Sequence, residues 1–144
     1  GNAMDLAQRD FNAIIKAIQD QDARYQSPAY YFVRQALDYT IKKNYSDSEL
    51  SRSQHISGQE LLEGIRSYAL EEYGPMAYYL LKKWGVRNCG DFGNIVFNLV
   101  DCQVLGKTDT DSPEDFKGGY DFNEAFLKPF APKKAIALKK PRLY

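Results

Sequence analysis

His55-Ile56-Ser57-Gly58-Gln59-Glu60-Leu61-Leu62-Glu63-Gly64-Ile65-Arg66 runs on through Tyr73-Gly74-Pro75-Met76 and Trp84-Gly85 to Asp91-Phe92-Gly93-Asn94-Ile95-Val96-Phe97. This stretch specifies three helices and the corners between them. Ser57-Gly58-Gln59-Glu60 is a capping box: the Ser57 hydroxyl accepts the Glu60 amide, and the Glu60 carboxylate reaches back to the Ser57 amide. Ile56, just before the cap, staples onto Leu61. Leu61, Leu62, Ile65, Tyr68 and Ala69 then recur at helical spacing as one apolar face. Gly74 ends that helix and Pro75 pre-sets the first residue of the next. Ala77, Leu80, Leu81 and Trp84 predict a short helix stopped by Gly85. Asp91 reads as the cap of a further helix. Its Phe92, Ile95, Val96, Leu99 and Val100, with Phe97 on the flank, predict a central and mostly buried element.

Working outward, Ala7, Phe11, Ile14, Ile15 and Ile18 predict an amphipathic first helix. Ser27-Pro28 reads as a cap followed by proline at the first helical position. It leads into a stripe of Val33, Ala36, Leu37 and Ile41 that ends near Lys43. Tyr45 to Gln54 is polar and aperiodic, a loop. Downstream, Val104-Leu105-Gly106-Lys107-Thr108 and Tyr120-Asp121-Phe122 are β-compatible on either side of the turn-rich Asp109 to Gly119, which predicts a hairpin. Asn123 to Phe130 adds a helical turn before Pro129 and Pro132 end regular structure. The expected fold is therefore mainly α: a compact single domain of about five helices with a small C-terminal β-hairpin. The domain spans residues 4–130, after a remnant of recombinant expression at 1–3 and before a basic tail at 131–144. The element order follows a winged-helix arrangement, with Asp91 to Val100 in the recognition-helix place and Asp109 to Gly119 as the wing.

At 144 residues the chain is long enough to bury a core without staples. Its 19 basic and 19 acidic side chains cancel, but the balance is uneven. Lys133, Lys134, Lys139, Lys140 and Arg142 leave residues 1–132 with 14 basic and 19 acidic side chains. A basic tail on an acidic body can reach an anionic partner, fold back, or stay solvated. Cys89 and Cys102 fit neither zinc-ligand nor Cys-x-x-Cys spacing and are expected as free thiols. Asn44-Tyr45-Ser46 matches a glycosylation acceptor only as a short pattern without a secretory context. No membrane-length apolar run or secretory signal pattern is present, so the expectation is a soluble, cytoplasmic protein with no membrane partner.

The block from His55 to Phe126 resembles an uncharacterised protein family restricted to Verrucomicrobia and Planctomycetes. Ser57-Gly58-Gln59-Glu60-Leu61-Leu62, Tyr73-Gly74-Pro75, Trp84-Gly85-Val86, Asp91-Phe92-Gly93 with Ile95-Val96-Phe97, Lys107-Thr108, Asp115-Phe116 and Tyr120-Asp121-Phe122 carry it. The resemblance implies no activity and hence no catalytic residues.

Several short patterns fail on context. Asp91-Phe92-Gly93 is similar to the magnesium-binding triplet of protein kinases, but the Gly-rich loop, β3 lysine and catalytic loop are missing. Gly106-Lys107-Thr108 is similar to the end of a P-loop, yet Asp101 stands where its first glycine belongs and would repel phosphate. Glu60, Glu63, Glu71 and Glu72 share one helix, but without a Glu-x-x-His they point to no metal site. No cofactor is expected either.

Three functional readings follow. The first is a non-enzymatic interaction module that binds a protein partner or forms a homo-oligomer. It would act through clustered tyrosines, Tyr30, Tyr31, Tyr78 and Tyr79, and the basic tail; tyrosine numbers 11 of 144 residues, and neighbouring helical residues cannot all face one core. The second is a winged-helix-like nucleic-acid binder with phosphate contacts from Lys82, Lys83, Arg87, Lys107, Lys133, Lys134, Lys139, Lys140 and Arg142. Its helix would present Asn94 and Asn98 beside Asp91 and Asp101, a poor set for reading bases. The third is a thiol-dependent enzyme built on Cys89 near a helix start with His55, the sole imidazole, as base.

Overall fold

Phe32 sits where four aromatic side chains from three other segments converge, and that cluster organises the molecule. Its ring centroid lies 5.6 Å from Tyr68, 5.9 Å from Tyr73, 6.0 Å from Trp84 and 6.3 Å from Phe92. The computed structural model describes residues 3–45, 55–106 and 112–132, with side chains from Gln8 onward. The Ala7 side chain of the predicted first stripe, most of the Tyr45 to Gln54 loop, Lys107-Thr108, residues 109–111 and the tail cations lie outside what is described. Five α-helices follow in order: α1 (Ala3–Gln21), α2 (Ser27–Asn44), α3 (Gly58–Tyr73), α4 (Ala77–Lys83) and α5 (Cys89–Asp101). None is long and apolar enough to cross a membrane.

The local signals act as anticipated around α3. Glu60 donates its amide to Ser57 Oγ at 3.0 Å, and the Ser57 amide donates to Glu60 Oε1 at 3.1 Å. The face of α3 lies along α2, where Gly64 permits contact that no other residue would. A Cβ there would stand 1.7 Å from Thr40 Oγ1. Gly85 has a φ of +95°, and a Cβ on it would meet the Arg24 carbonyl oxygen at 2.3 Å. It therefore closes α4 and also admits the α1–α2 loop, whose Gln26 amide donates to the Trp84 carbonyl at 3.0 Å.

Three expectations are corrected. Ser27 is not the cap of α2: the helix begins at Ser27 after an extended Gln26, and the Ser27 hydroxyl instead accepts from Gln19 Nε2 at 3.3 Å. Asp91 is not the cap of α5 either. Asn88 caps it, and Asp91 is the third helical residue of a second capping box.

The predicted hairpin is not seen: no strand occurs among the described residues. Val104 instead folds back so that its amide donates to the Leu99 carbonyl, while Gln103 takes a φ of +62°. Residues 113–130 supply a 3-10 turn at Pro113–Phe116, a π turn at Asn123–Leu127 and a 3-10 turn at Lys128–Phe130. Burial explains the change. Phe116 wedges between α3 and α5, where a Cβ on Gly93 would lie 2.9 Å from its Cβ. Phe122 and Phe126 pack edge to face at 5.0 Å, and Phe122 continues the ring cluster to Phe92 at 5.6 Å. Burying each phenylalanine contributes roughly 1.5–3 kcal/mol, more than a short hairpin at the rim of the bundle gains.

Candidate functional site

α5 does not have the surface of a reading helix. Cys89, Phe92, Ile95, Val96 and Leu99 bury it in the core. Its two asparagines are committed to the α1–α2 region. Asn94 Nδ2 donates to the Tyr25 hydroxyl at 2.8 Å, and Asn98 Nδ2 donates to the Tyr30 hydroxyl and to Asp22 Oδ2, both at 3.0 Å. The described part of the proposed wing, residues 112–119, packs against α3 and α5. The winged-helix reading thus loses its recognition helix and the described part of its wing.

The thiol reading meets a similar obstacle. Cys89 is the first residue of α5, not a residue ahead of it, and its side chain is buried. Burial pushes the thiol up from its ordinary pKa, although backbone contacts with Tyr120 oppose this. Cys89 Sγ donates to the Tyr120 carbonyl and accepts from the Tyr120 amide, each at 3.4 Å. It is a packed, neutral thiol that ties the 120 segment to α5. His55 is exposed ahead of α3, where its carbonyl accepts the Tyr45 hydroxyl.

Cys89 also lines an open cleft of about 660 Å³ with Asn88, Asp91, Asn94, Lys117 and Asp121. Its polar side chains are already engaged within the protein. Asn88 accepts the Asp91 amide, and Asp91 accepts the Tyr25 hydroxyl and the Arg87 amide. Lys117 pairs with Glu114 at 2.9 Å, while Asp121 accepts the Glu124 amide. Each of these polar side chains is thus hydrogen-bonded or ion-paired within the protein. Among the described residues, no three His, Cys, Asp or Glu side chains are placed to hold a metal ion.

A second cavity, of about 450 Å³, has a different character. Tyr78 and Lys82 of α4, Val86 and Arg87 beyond it, and Phe122 line it. α4 faces the core with Ala77 and Leu81, which leaves Tyr79, Lys82 and Lys83 outward. The two lysines fall in its last turn, where cations complement the helix dipole. Asp91 fixes Arg87 by accepting its backbone amide at 2.8 Å, so its guanidinium extends from an anchored position. Lys82, Lys83 and Arg87 have no side-chain partner among the described residues.

An apolar edge adjoins these charges. Met76 is 54% exposed and Tyr79 55%, and Tyr79 packs edge-on against Tyr78 at 5.4 Å. The predicted tyrosine surface therefore narrows to Tyr78 and Tyr79. Tyr30 is fully buried in the core, and Tyr31 is half-buried against Phe11 at 4.9 Å. Lys82, Lys83 and Arg87, read as phosphate contacts, stand beside the tyrosines read as a protein surface. Lys107, Lys133, Lys134, Lys139, Lys140 and Arg142 lie outside the described residues. Met76, Val86 and Phe122 are additions to the predicted set. Met76 follows the Gly74-Pro75 corner, a position that turns a side chain outward, whereas Phe122 reaches the cavity only through the fold.

Compared with family models, curated proteins and solved structures, the chain matches none.

Proposed function

We propose that this protein is a non-enzymatic interaction module that docks a protein partner on α4 and the cavity beside it. The observation that carries this reading is the adjacency of exposed Met76 and Tyr79 to three cations with no side-chain partner among the described residues. Tyr, Met and Arg are enriched where proteins meet, because each offers large contact area, and Tyr and Arg add a directed polar group. The cleft at Cys89 supports no enzymatic reading, since its thiol is neutral and its polar groups are engaged. Two unpaired cysteines, one exposed, favour a reducing compartment, and we place the module in the cytoplasm.

Photo-crosslinking tests the reading. A benzophenone amino acid at position 79 should give a discrete protein adduct that disappears when Met76→Ser is added, while the same group at exposed position 35 on α2 gives none. Equal adducts at both positions, or none at position 79, would overturn it.

A further inference from the structure

We propose that the cavity between Tyr78, Lys82, Arg87 and Phe122 receives a Glu or Asp carboxylate of the partner, carried beside an apolar residue that packs on Met76 and Tyr79. The proposal rests on α4 being the docking face and adds the chemistry of what docks there. Lys82 and Arg87 line one cavity without an anion among the described residues, so a ligand must supply it if their charges are to be paired on binding. Arg presents two parallel donors to a carboxylate, and Lys adds a point charge that tolerates several approach angles. Val86, Tyr78 and Phe122 form the remaining walls, and their low polarity strengthens a charge pair relative to open water. Met76 and Tyr79 sit three residues apart at the start of α4, on one face, ready for an aliphatic or aromatic neighbour of that carboxylate.

Other occupants fit less well. A second copy paired symmetrically about α4 would bring Lys82, Lys83 and Arg87 against themselves. A nucleic acid needs an extended basic track. Here three cations stand on a body that, over residues 1–132, carries five more acidic than basic side chains, and α5 has its asparagines engaged.

The test is a fluorescence anisotropy titration of the full chain with a labelled peptide alternating Glu with Phe and Leu. The matched peptide with Lys for Glu, single-stranded DNA and duplex DNA are run alongside. The acidic peptide should bind, more weakly as salt rises. Lys82→Glu with Arg87→Glu should weaken it by about tenfold or more and gain binding of the Lys peptide. Lys82→Gln with Arg87→Gln should weaken binding of the acidic peptide without that gain. Both residues are exposed, so circular dichroism should show the variants folded. No binding of the acidic peptide, or binding indifferent to both variants, overturns the proposal. DNA binding through the same residues without peptide binding overturns it in favour of a nucleic-acid partner. If the position 79 adduct persists while the acidic peptide fails, the docking face stands and only its acidic chemistry falls.

Discussion

Tyr25 donates its hydroxyl to Asp91 Oδ1 at 2.5 Å, joining the α1–α2 loop to the first turn of α5 across 66 positions of sequence. The same carboxylate accepts the Arg87 amide, so one residue completes the capping box of α5, anchors a loop and sets the start of the α4 cavity wall. Tyr25→Phe should cost about 1–3 kcal/mol by leaving Asp91 and Asn94 short of a partner. Urea denaturation measures it; an unchanged midpoint would show that the contact is incidental.

Alkaline pH probes the same contact. Burial first, and then the bond to Asp91, hold the Tyr25 hydroxyl well above the ordinary tyrosine pKa, burial does the same for Tyr120, and burial also raises Tyr30. A pKa raised on folding favours the neutral phenol. The associated stability is complete below the unfolded value of about 10 and is lost as pH rises beyond it. Part of the tyrosinate absorbance should therefore emerge only together with loss of the helical circular dichroism signal. A full tyrosinate signal from a still-folded protein would contradict this.

In acid, Asp22 takes the opposite sign. Hydrogen bonds from the Arg24 side chain, with a further one from Asn98, hold its carboxyl far below the usual carboxylate range. That stability is present above the unfolded pKa of about 3.9 and is lost as pH falls. Asp22→Asn should cost about 1–2 kcal/mol at neutral pH, with the deficit shrinking as pH falls below about 3.9, where the unfolded chain's carboxyl takes up a proton before the native one does. Denaturation curves at both pH values check it.

Gly64→Ala should destabilise by about 3 kcal/mol, because its Cβ would overlap Thr40 Oγ1 and α2 and α3 cannot part without opening the core. Thr40→Ala should relieve part of that cost but not all, since Thr40 Cβ would remain 2.8 Å away. A double-mutant cycle with no coupling would show that the helices meet elsewhere.

Thiol labelling separates the two cysteines. Cys102 is exposed and should react quickly in the native protein, whereas Cys89 should react only after denaturant is added. Fast labelling of Cys89 would reopen the thiol reading.

What could be read from the chain was what adjacent residues decide among themselves. Ser57 and Glu60 satisfy each other within one helical turn, and Gly85 closes α4 by its own backbone freedom, so both were legible. Asp91 was legible as a helix-start residue but not as the third position of a box begun by Asn88, because either Asx residue can cap. Val104 to Thr108 and Tyr120 to Phe122 have local patterns that suit strands, and only long-range packing turns Phe116 inward against Gly93 and brings Phe122 and Phe126 in toward Phe92. The same limit governed the tyrosines. Nothing near Tyr30 distinguishes it from Tyr79; the difference is Asn98, 68 positions away, which gives the Tyr30 hydroxyl a partner inside.

Backbone amide shifts of labelled protein, recorded as the acidic peptide is added, test α4 as the docking face most directly. The account predicts changes concentrated from Met76 to Arg87 and at Phe122. Changes concentrated instead at Asn88 to Asn94 and Lys117 to Asp121, around the Cys89 cleft, would contradict it.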